Sequence, residues 1–155
     1  MTQNAQSLLQ IRDLAVEFST DDGIVKAVNG VSYEVPAGHA IGIVGESGSG
    51  KSVSQLAVMR LIARPAGRIT RGEVIFDGEN LLEASESGMR RIRGNRISMI
   101  FQDPMNSLNP VYTVGRQIEE ALRLHEGASK SEAHARAIEL LDLVGIPSPE
   151  DRVKD

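Results

Sequence analysis

The chain's 155 residues suit one domain, and 41% hydrophobic with 25% charged residues is ordinary for a protein that buries a core. A formal charge of -4 and only 3% aromatic residues speak against a nucleic-acid binder, which needs basic surface and stacking rings. The lack of cysteine excludes disulfides, thiolate metal sites and cysteine nucleophiles, and no apolar run reaches the length of a membrane span.

Residues 1–7 read as an unstructured lead, and the polar stretch from Met1 to Gln10 lacks the basic-then-apolar pattern of a signal peptide. Any membrane association is therefore expected to be peripheral. Apolar residues recur at Leu9, Ile11, Leu14, Val16 and Phe18, and the alternation from Leu14 onward predicts a half-buried strand. Asp21-Asp22-Gly23 marks a turn and residues 24–28 a return strand. Asn29-Gly30 marks a second turn, and Val31, Tyr33 and Val35 alternate as a third strand. Pro36-Ala37-Gly38 ends it.

Residues 40–44, Ala-Ile-Gly-Ile-Val, read as a short buried strand that runs into Gly45-Glu46-Ser47-Gly48-Ser49-Gly50-Lys51-Ser52. The eight residues fit G-x-x-x-x-G-K-[ST], and residues 52–62 after them have a helical pattern. Strand, glycine-rich loop and helix together form a phosphate cradle. Glycines let the backbone approach closely, successive N–H groups point inward, and the helix N-terminus adds its positive dipole end. Lys51 is placed to reach the β- and γ-phosphates of a nucleotide, and the Ser52 hydroxyl to ligate Mg²⁺.

After a break at 64–67, residues 72–78 read as a strand closed by the turn pair Asp77-Gly78; that pair argues against Asp77 as a Mg²⁺ ligand. Residues 85–93 predict a short helix capped by Ser85 or Ser87. Arg90, Arg91, Arg93 and Arg96 read as a solvated basic face. Residues 96–101 are a further buried-type strand, followed by a polar, proline-punctuated loop over 102–112. Ligands gather beyond the carboxyl ends of parallel strands, which is where Gln102 stands. The pattern leaves two readings of Gln102: a group facing the γ-phosphate, or an amide bonding its own loop. Thr113 caps a helix bearing Val114, Ile118, Ala121 and Leu122. Ser129 to Glu132 is a capping box for a second, with Ala133, Ala137, Leu140, Leu141 and Val144 on its apolar face and Gly145 as its stop. His125 and His134 show no metal-ligand spacing, and Pro147 and Pro149 are expected to end the ordered pattern.

These stretches resemble an ABC-transporter ATP-binding subunit, above all the oligopeptide/dipeptide importer group. Val16-Glu17-Phe18, the run 42–52, the run 99–110 (Met-Ile-Phe-Gln-Asp-Pro-Met-Asn-Ser-Leu-Asn-Pro) and the run 139–146 carry the likeness. The resemblance implies an α/β P-loop NTPase of the ABC type. It would comprise an N-terminal antiparallel β-subdomain with a core strand over 8–44, the Walker A loop and helix over 45–62, a core strand and Q-loop over 72–112, and the start of a helical subdomain over 113–146. The core sheet would be parallel and partial. It also implies roles: Phe18 stacking on adenine; Gly45, Glu46, Ser47, Gly48, Ser49, Gly50, Lys51 and Ser52 holding ATP; Ser52 and Gln102 at Mg²⁺; Gln102 positioning the attacking water, with Lys51 beside it as a catalytic group.

Expected partners are transmembrane permease subunits through the 102–112 loop and a second ATPase subunit in a head-to-tail dimer, with no nucleic acid. The expected place is the cytoplasmic face of the membrane. In that family the signature Leu-Ser-Gly-Gly, the Walker B strand with its catalytic glutamate and the switch histidine follow the helical subdomain. The sequence ends at Asp155 before any of them, so a truncated ATPase is expected. Its alternative function is a module that binds ATP without turnover. Another P-loop protein, such as a small GTPase or a nucleotide kinase, is the weaker reading, since the N-terminal hairpins with Phe18 precede the loop and no Asn-Lys-x-Asp segment occurs.

Overall fold

The computed structural model describes residues 7–102 and 107–155 and divides into two compact units, which meet in sequence at Met89 and Arg90. The unstructured lead expected at 1–7 lies, except for Ser7, outside the described residues.

The first unit is built on a four-stranded antiparallel sheet in the order β2-β1-β3-β4. Strand β1 (Ser7–Thr20) pairs with β2 (Gly23–Pro36) on one side and with β3 (Gly67–Phe76) on the other. The short β4 (Glu79–Asn80) closes a hairpin with β3. Its turn is Asp77-Gly78, both at positive φ (49° and 84°), the geometry that two-residue hairpins favour and that this residue pair accommodates. The predicted third strand over 31–35 is the continuation of β2, because Asn29-Gly30 is a bulge and not a turn. Leu14 pairs with Val31 and Ala15 with Asn29, which leaves Gly30 as the extra residue at φ 78°.

Strand β1 bulges at the same level. The apolar period slips there from Ile11 to Leu14, Asp13 takes φ 45°, its N–H donates to Ser32 Oγ (2.8 Å), and its carboxylate pairs with Arg71 (2.6 Å). The slip keeps Ile11, Leu14 and Val16 all buried, each contributing roughly 1.5–3 kcal/mol. Helix α1 (Lys51–Val58) stops short of the predicted Ile62. Arg60 turns to φ 52° and its guanidinium bonds the Leu81 and Ala84 carbonyls. Helix α2 (Glu86–Ile92) is capped by Ser85, whose Oγ accepts from Gly88 N–H at 3.1 Å.

Two expected strands are not laid down. Residues 40–44 and 96–101 join no sheet; the latter has only a single parallel bridge, Ile97 to Arg93. Val44 is 96% exposed and Ile100 98%. A strand exists through its ladder, and among the described residues no neighbouring strand offers one. The expected parallel core is thus legible in sequence and absent as pairing, while every ladder of the sheet is antiparallel.

The second unit is a helical hairpin, α3 (Val114–His125) and α4 (Lys130–Leu143), with a short α5 (Pro149–Arg152). Ala137, Leu141 and Val153 form its core, flanked by Val114, Ile118 and Ile138. Thr113 caps α3 by accepting from Arg116 N–H (3.2 Å). Pro149 does not end the order: it occupies the first turn of α5, where its missing N–H costs nothing, and Val153 beyond it is buried.

At α4 both halves of the capping box form, Glu132 N–H to Ser129 Oγ at 3.3 Å and Ser129 N–H to the Glu132 carboxylate at 2.9 Å. Those bonds from Ser129 hold the Glu132 carboxyl below its usual 4.5. A lowered carboxyl stabilises the fold above the unfolded value, and the contribution is lost as pH falls through the lower folded value. Acid titration followed by amide NMR should show the Ser129 amide loosening below about 4.5. In Glu132→Gln that pH-dependence should disappear.

Candidate phosphate-binding site

Residues 45–52 form a closed loop around one ammonium. Lys51 Nζ donates to the carbonyls of Gly45 and Glu46, both at 2.6 Å, and to Ser49 Oγ at 3.2 Å. Ser49 N–H donates to Glu46 O at 3.2 Å and tightens the same turn. Three donors of one side chain therefore fold the loop back over the start of α1. Gly48 and Gly50 take φ 79° and 86°, where an L side chain is strained. Gly50 has a second reason to lack a Cβ: it would collide with the Ala27 carbonyl and press on Val28, both on β2.

No side chain caps α1, and its first turn carries no acid. Its leading N–H groups and positive dipole end thus face the loop, a donor set suited to an anion. Ser52 is exposed beside them, with a hydroxyl suited to a hard cation that a phosphate brings along.

One residue that the sequence pattern did not single out seats this loop. Ser54 is 3% exposed. Its N–H donates to Gly50 O (2.9 Å) and its Oγ to Lys51 O (2.7 Å). Tyr33, on β2, is half-buried, which raises its phenol above its usual 10.0, and the side chain of Ser54 offsets part of the rise. A polar Ser54 on the same face as Ala57 and Val58 was the available signal.

Phe18 lies on β1, opposite Gly67, whose missing Cβ makes room for the ring. Phe18 and the loop belong to the first unit; Gln102 belongs to the second, where it is exposed. Of the 102–112 loop, Asp103–Asn106 lie outside the described residues. The rest is fastened by Gln117, another residue the sequence reading passed over. Its amide accepts from Asn109 N–H (2.8 Å) and donates to the Asn109 and Tyr112 carbonyls (3.0 and 2.9 Å). Leu108, Val111 and Tyr112 are left exposed, with Arg116 stacked 4.1 Å over the Tyr112 ring. His134 pairs with Glu119 at 2.7 Å, and among the described residues no cluster could hold a metal through His, Asp or Glu.

Residues 28–155 match the ABC transporter family. The chain belongs to that family. It is 53% identical over 146 residues to the oligopeptide transport ATP-binding protein OppD of Bacillus subtilis, covering 94% of this chain and 41% of that protein. With the dipeptide transport ATP-binding protein DppD of Escherichia coli it shares 50% over 147 residues, 95% of this chain and 45% of the relative. The chain thus spans less than half the length of these relatives.

Among solved structures it matches MJ0796, a bacterial ABC transporter cassette seen as a dimer, with a TM-score of 0.72 and 27% identity. That match covers 87% of this chain and 56% of the cassette. The same cassette bound to ADP and Pi matches equally well. The fold class is therefore that of the α/β P-loop cassettes, with the antiparallel sheet as its N-terminal part. Among the described residues no helix is long and apolar enough to cross a membrane.

Proposed function

We propose that this chain carries the nucleotide-gripping part of the ATP-binding subunit of an ABC importer for peptides or a similar small solute. The observation that carries the reading is the ring of loop acceptors around Lys51 Nζ at the uncapped start of α1. The names of the peptide-transporting relatives supply the solute class. ATP, when bound, supplies the phosphoanhydride whose cleavage drives transport.

This chain's residues do the holding. The loop N–H groups bind the phosphate oxygens. Lys51 exchanges its loop carbonyls for β- and γ-phosphate oxygens, a trade of neutral acceptors for charged ones and so downhill. Ser52 and Gln102 would take Mg²⁺, Gln102 would orient the attacking water, and Phe18 would stack on adenine. The exposed Leu108, Val111 and Tyr112, on a loop stapled by Gln117, suit a docking face for a permease subunit. A second ATPase subunit would complete the site head-to-tail, on the cytoplasmic face of the membrane.

Lys51→Ala should raise the dissociation constant for Mg-ATP at least about tenfold, since a charge-assisted bond contributes roughly 1.5–3 kcal/mol. In an importer whose ATP-binding subunit contains this chain, the same change should stop ATP-dependent uptake. Normal uptake by the variant excludes the role given to Lys51.

The 155-residue chain by itself binds Mg-ATP without turning it over. Its sequence contains no Leu-Ser-Gly-Gly segment, and charge stabilisation at the γ-phosphate is then only half built. Phosphate release near or above about 1 s⁻¹ from the purified chain overturns this second reading.

A further inference from the structure

We propose that Gly67 and Ile62 are positioning residues for the base of the bound nucleotide: together they form a seat that sets the orientation of the Phe18 ring. The inference rests on the reading of Phe18 as the adenine-stacking residue and goes beyond it, because that reading gives neither Gly67 nor Ile62 a part.

Phe18 on β1 and Gly67, the first residue of β3, are direct partners across the ladder. Partners in an antiparallel pair carry their side chains on the same face, so a residue with a Cβ at 67 would stand beside the ring. Glycine leaves that place open, and two side chains converge on it. Phe18 Cε1 lies 2.7 Å from where the Cβ would be, and Cγ2 of Ile62, just beyond α1, lies closer still. The ring edge and the isoleucine methyl thus meet over the glycine. Gly67 is buried while Phe18 is half-buried, so the ring is held along one edge and keeps part of its surface open.

A ring laid over a strand glycine can serve the sheet alone, as a cross-strand contact that pins register. The segment that carries this seat gives it a further use. Ala66 O accepts from the N–H of Ser19, the residue after Phe18, at 2.8 Å, and Gly67 N–H donates to Ala63 O at 2.8 Å. Residues 62–67 are therefore folded on themselves and bonded to β1 beside the ring. They also continue the segment that opens with the phosphate loop and α1. The stretch from Gly45 to Gly67 thus has the phosphate cradle at its start and the seat of the ring at its end. A ligand gripped by the loop presents its base in one plane, and stacking is lost when the ring swings out of register with that plane.

The test is titration of the full chain and its variants with Mg-ATP and, separately, with Mg-tripolyphosphate, which presents the phosphates without base or ribose. Phe18→Ala should weaken Mg-ATP about tenfold and leave Mg-tripolyphosphate unchanged. Ile62→Ala adds no atom and leaves the ring in place but unseated. It should weaken Mg-ATP about threefold, with Mg-tripolyphosphate again unchanged. Gly67→Ala, whose methyl would drive the ring from its place, should lose as much as Phe18→Ala; should it fail to fold, Ile62→Ala decides alone. Ile62→Val keeps the Cγ2 methyl and should bind both ligands as the unaltered chain does. Added to Phe18→Ala, Ile62→Ala should cost nothing more, since the seat acts through the ring.

A seat that serves the sheet alone predicts otherwise: a lower melting midpoint in Ile62→Ala with the Mg-ATP affinity unchanged. That result, or an equal loss for both ligands, overturns the proposal. If the unaltered chain binds neither ligand, the nucleotide reading falls and this inference with it. If Phe18→Ala binds Mg-ATP normally, the stacking reading falls and again takes the inference along. If Phe18→Ala loses Mg-ATP and Ile62→Ala does not, only the seat is refuted.

Discussion

Gly50→Ala should abolish measurable Mg-ATP binding and destabilise the first unit by about 3 kcal/mol. Two separate effects add. Gly50 sits at φ 86°, where an L residue pays roughly 1–2 kcal/mol. Its new methyl would also occupy the position of the Ala27 carbonyl, backbone that cannot rotate away, and overpacking of that kind costs roughly 1–3 kcal/mol. The least costly escape is to lift the loop end and α1 off β2. That movement turns the loop end and the N-terminus of α1 away from their seat on β2 and misaligns the donors.

Gly48 provides the internal control. Its φ is 79°, yet a Cβ there meets nothing within 4 Å. Gly48→Ala therefore carries the strain without the collision and should lose only about 1–2 kcal/mol. Denaturant unfolding of both variants, beside Mg-ATP titration of Gly50→Ala, measures the difference. Equal losses at the two glycines would show that the Ala27 contact does not seat the loop.

How much of this was legible beforehand depends on where each residue's partner stands in the sequence. The loop was readable because a phosphate cradle is a local object. Its glycines, lysine and serine act on one another across eight positions, and the bonds from Lys51 to Gly45 and Glu46 stay inside the motif. The caps at Thr113 and Ser129 were readable for the same reason, their partners lying three residues away.

Asn29-Gly30 misled because the pair meets the chemistry of a turn and of a bulge alike. Only the pairing of Leu14 with Val31 and of Ala15 with Asn29 distinguishes them, and that is information about β1. The three-residue step from Ile11 to Leu14 was the trace it left in the sequence. Residues 40–44 and 96–101 failed as strands for the converse reason. Their apolar character is intrinsic, but a ladder belongs to two segments. The grip of Ser54 on the Gly50 and Lys51 carbonyls was legible only as a hydroxyl on an otherwise apolar helix face.

Gly115→Ala should lower the stability of the helical unit by about 1–3 kcal/mol, against what its local setting suggests. Gly115 is the second residue of α3, and alanine is the better helix former by about 1 kcal/mol. Propensity alone thus predicts a gain. Packing reverses the sign. A Cβ at Gly115 would lie 2.5 Å from Val153 O and collide with Val153 Cγ2. The segment after α5 approaches this closely because it supplies acceptors to the first turn of α3. Val114 N–H donates to Asp155 O at 2.8 Å and Gly115 N–H to Val153 O at 2.9 Å.

Moving Val153 outward to admit the methyl lengthens both bonds, each contributing roughly 1 kcal/mol. It also withdraws Val153 from the core it forms with Ala137 and Leu141. The losses exceed the propensity gain. Amide exchange reads the outcome residue by residue: Val114 and residue 115 should lose protection while Ser129 and Glu132, at the cap of α4, keep theirs. Adding Val153→Ala removes the Cγ2 collision and leaves the one with the carbonyl, so it should relieve part of the strain without restoring protection. Full protection in the single variant, or a rise in its melting midpoint, would mean that helix propensity outweighs the Val153 contact at this end of α3.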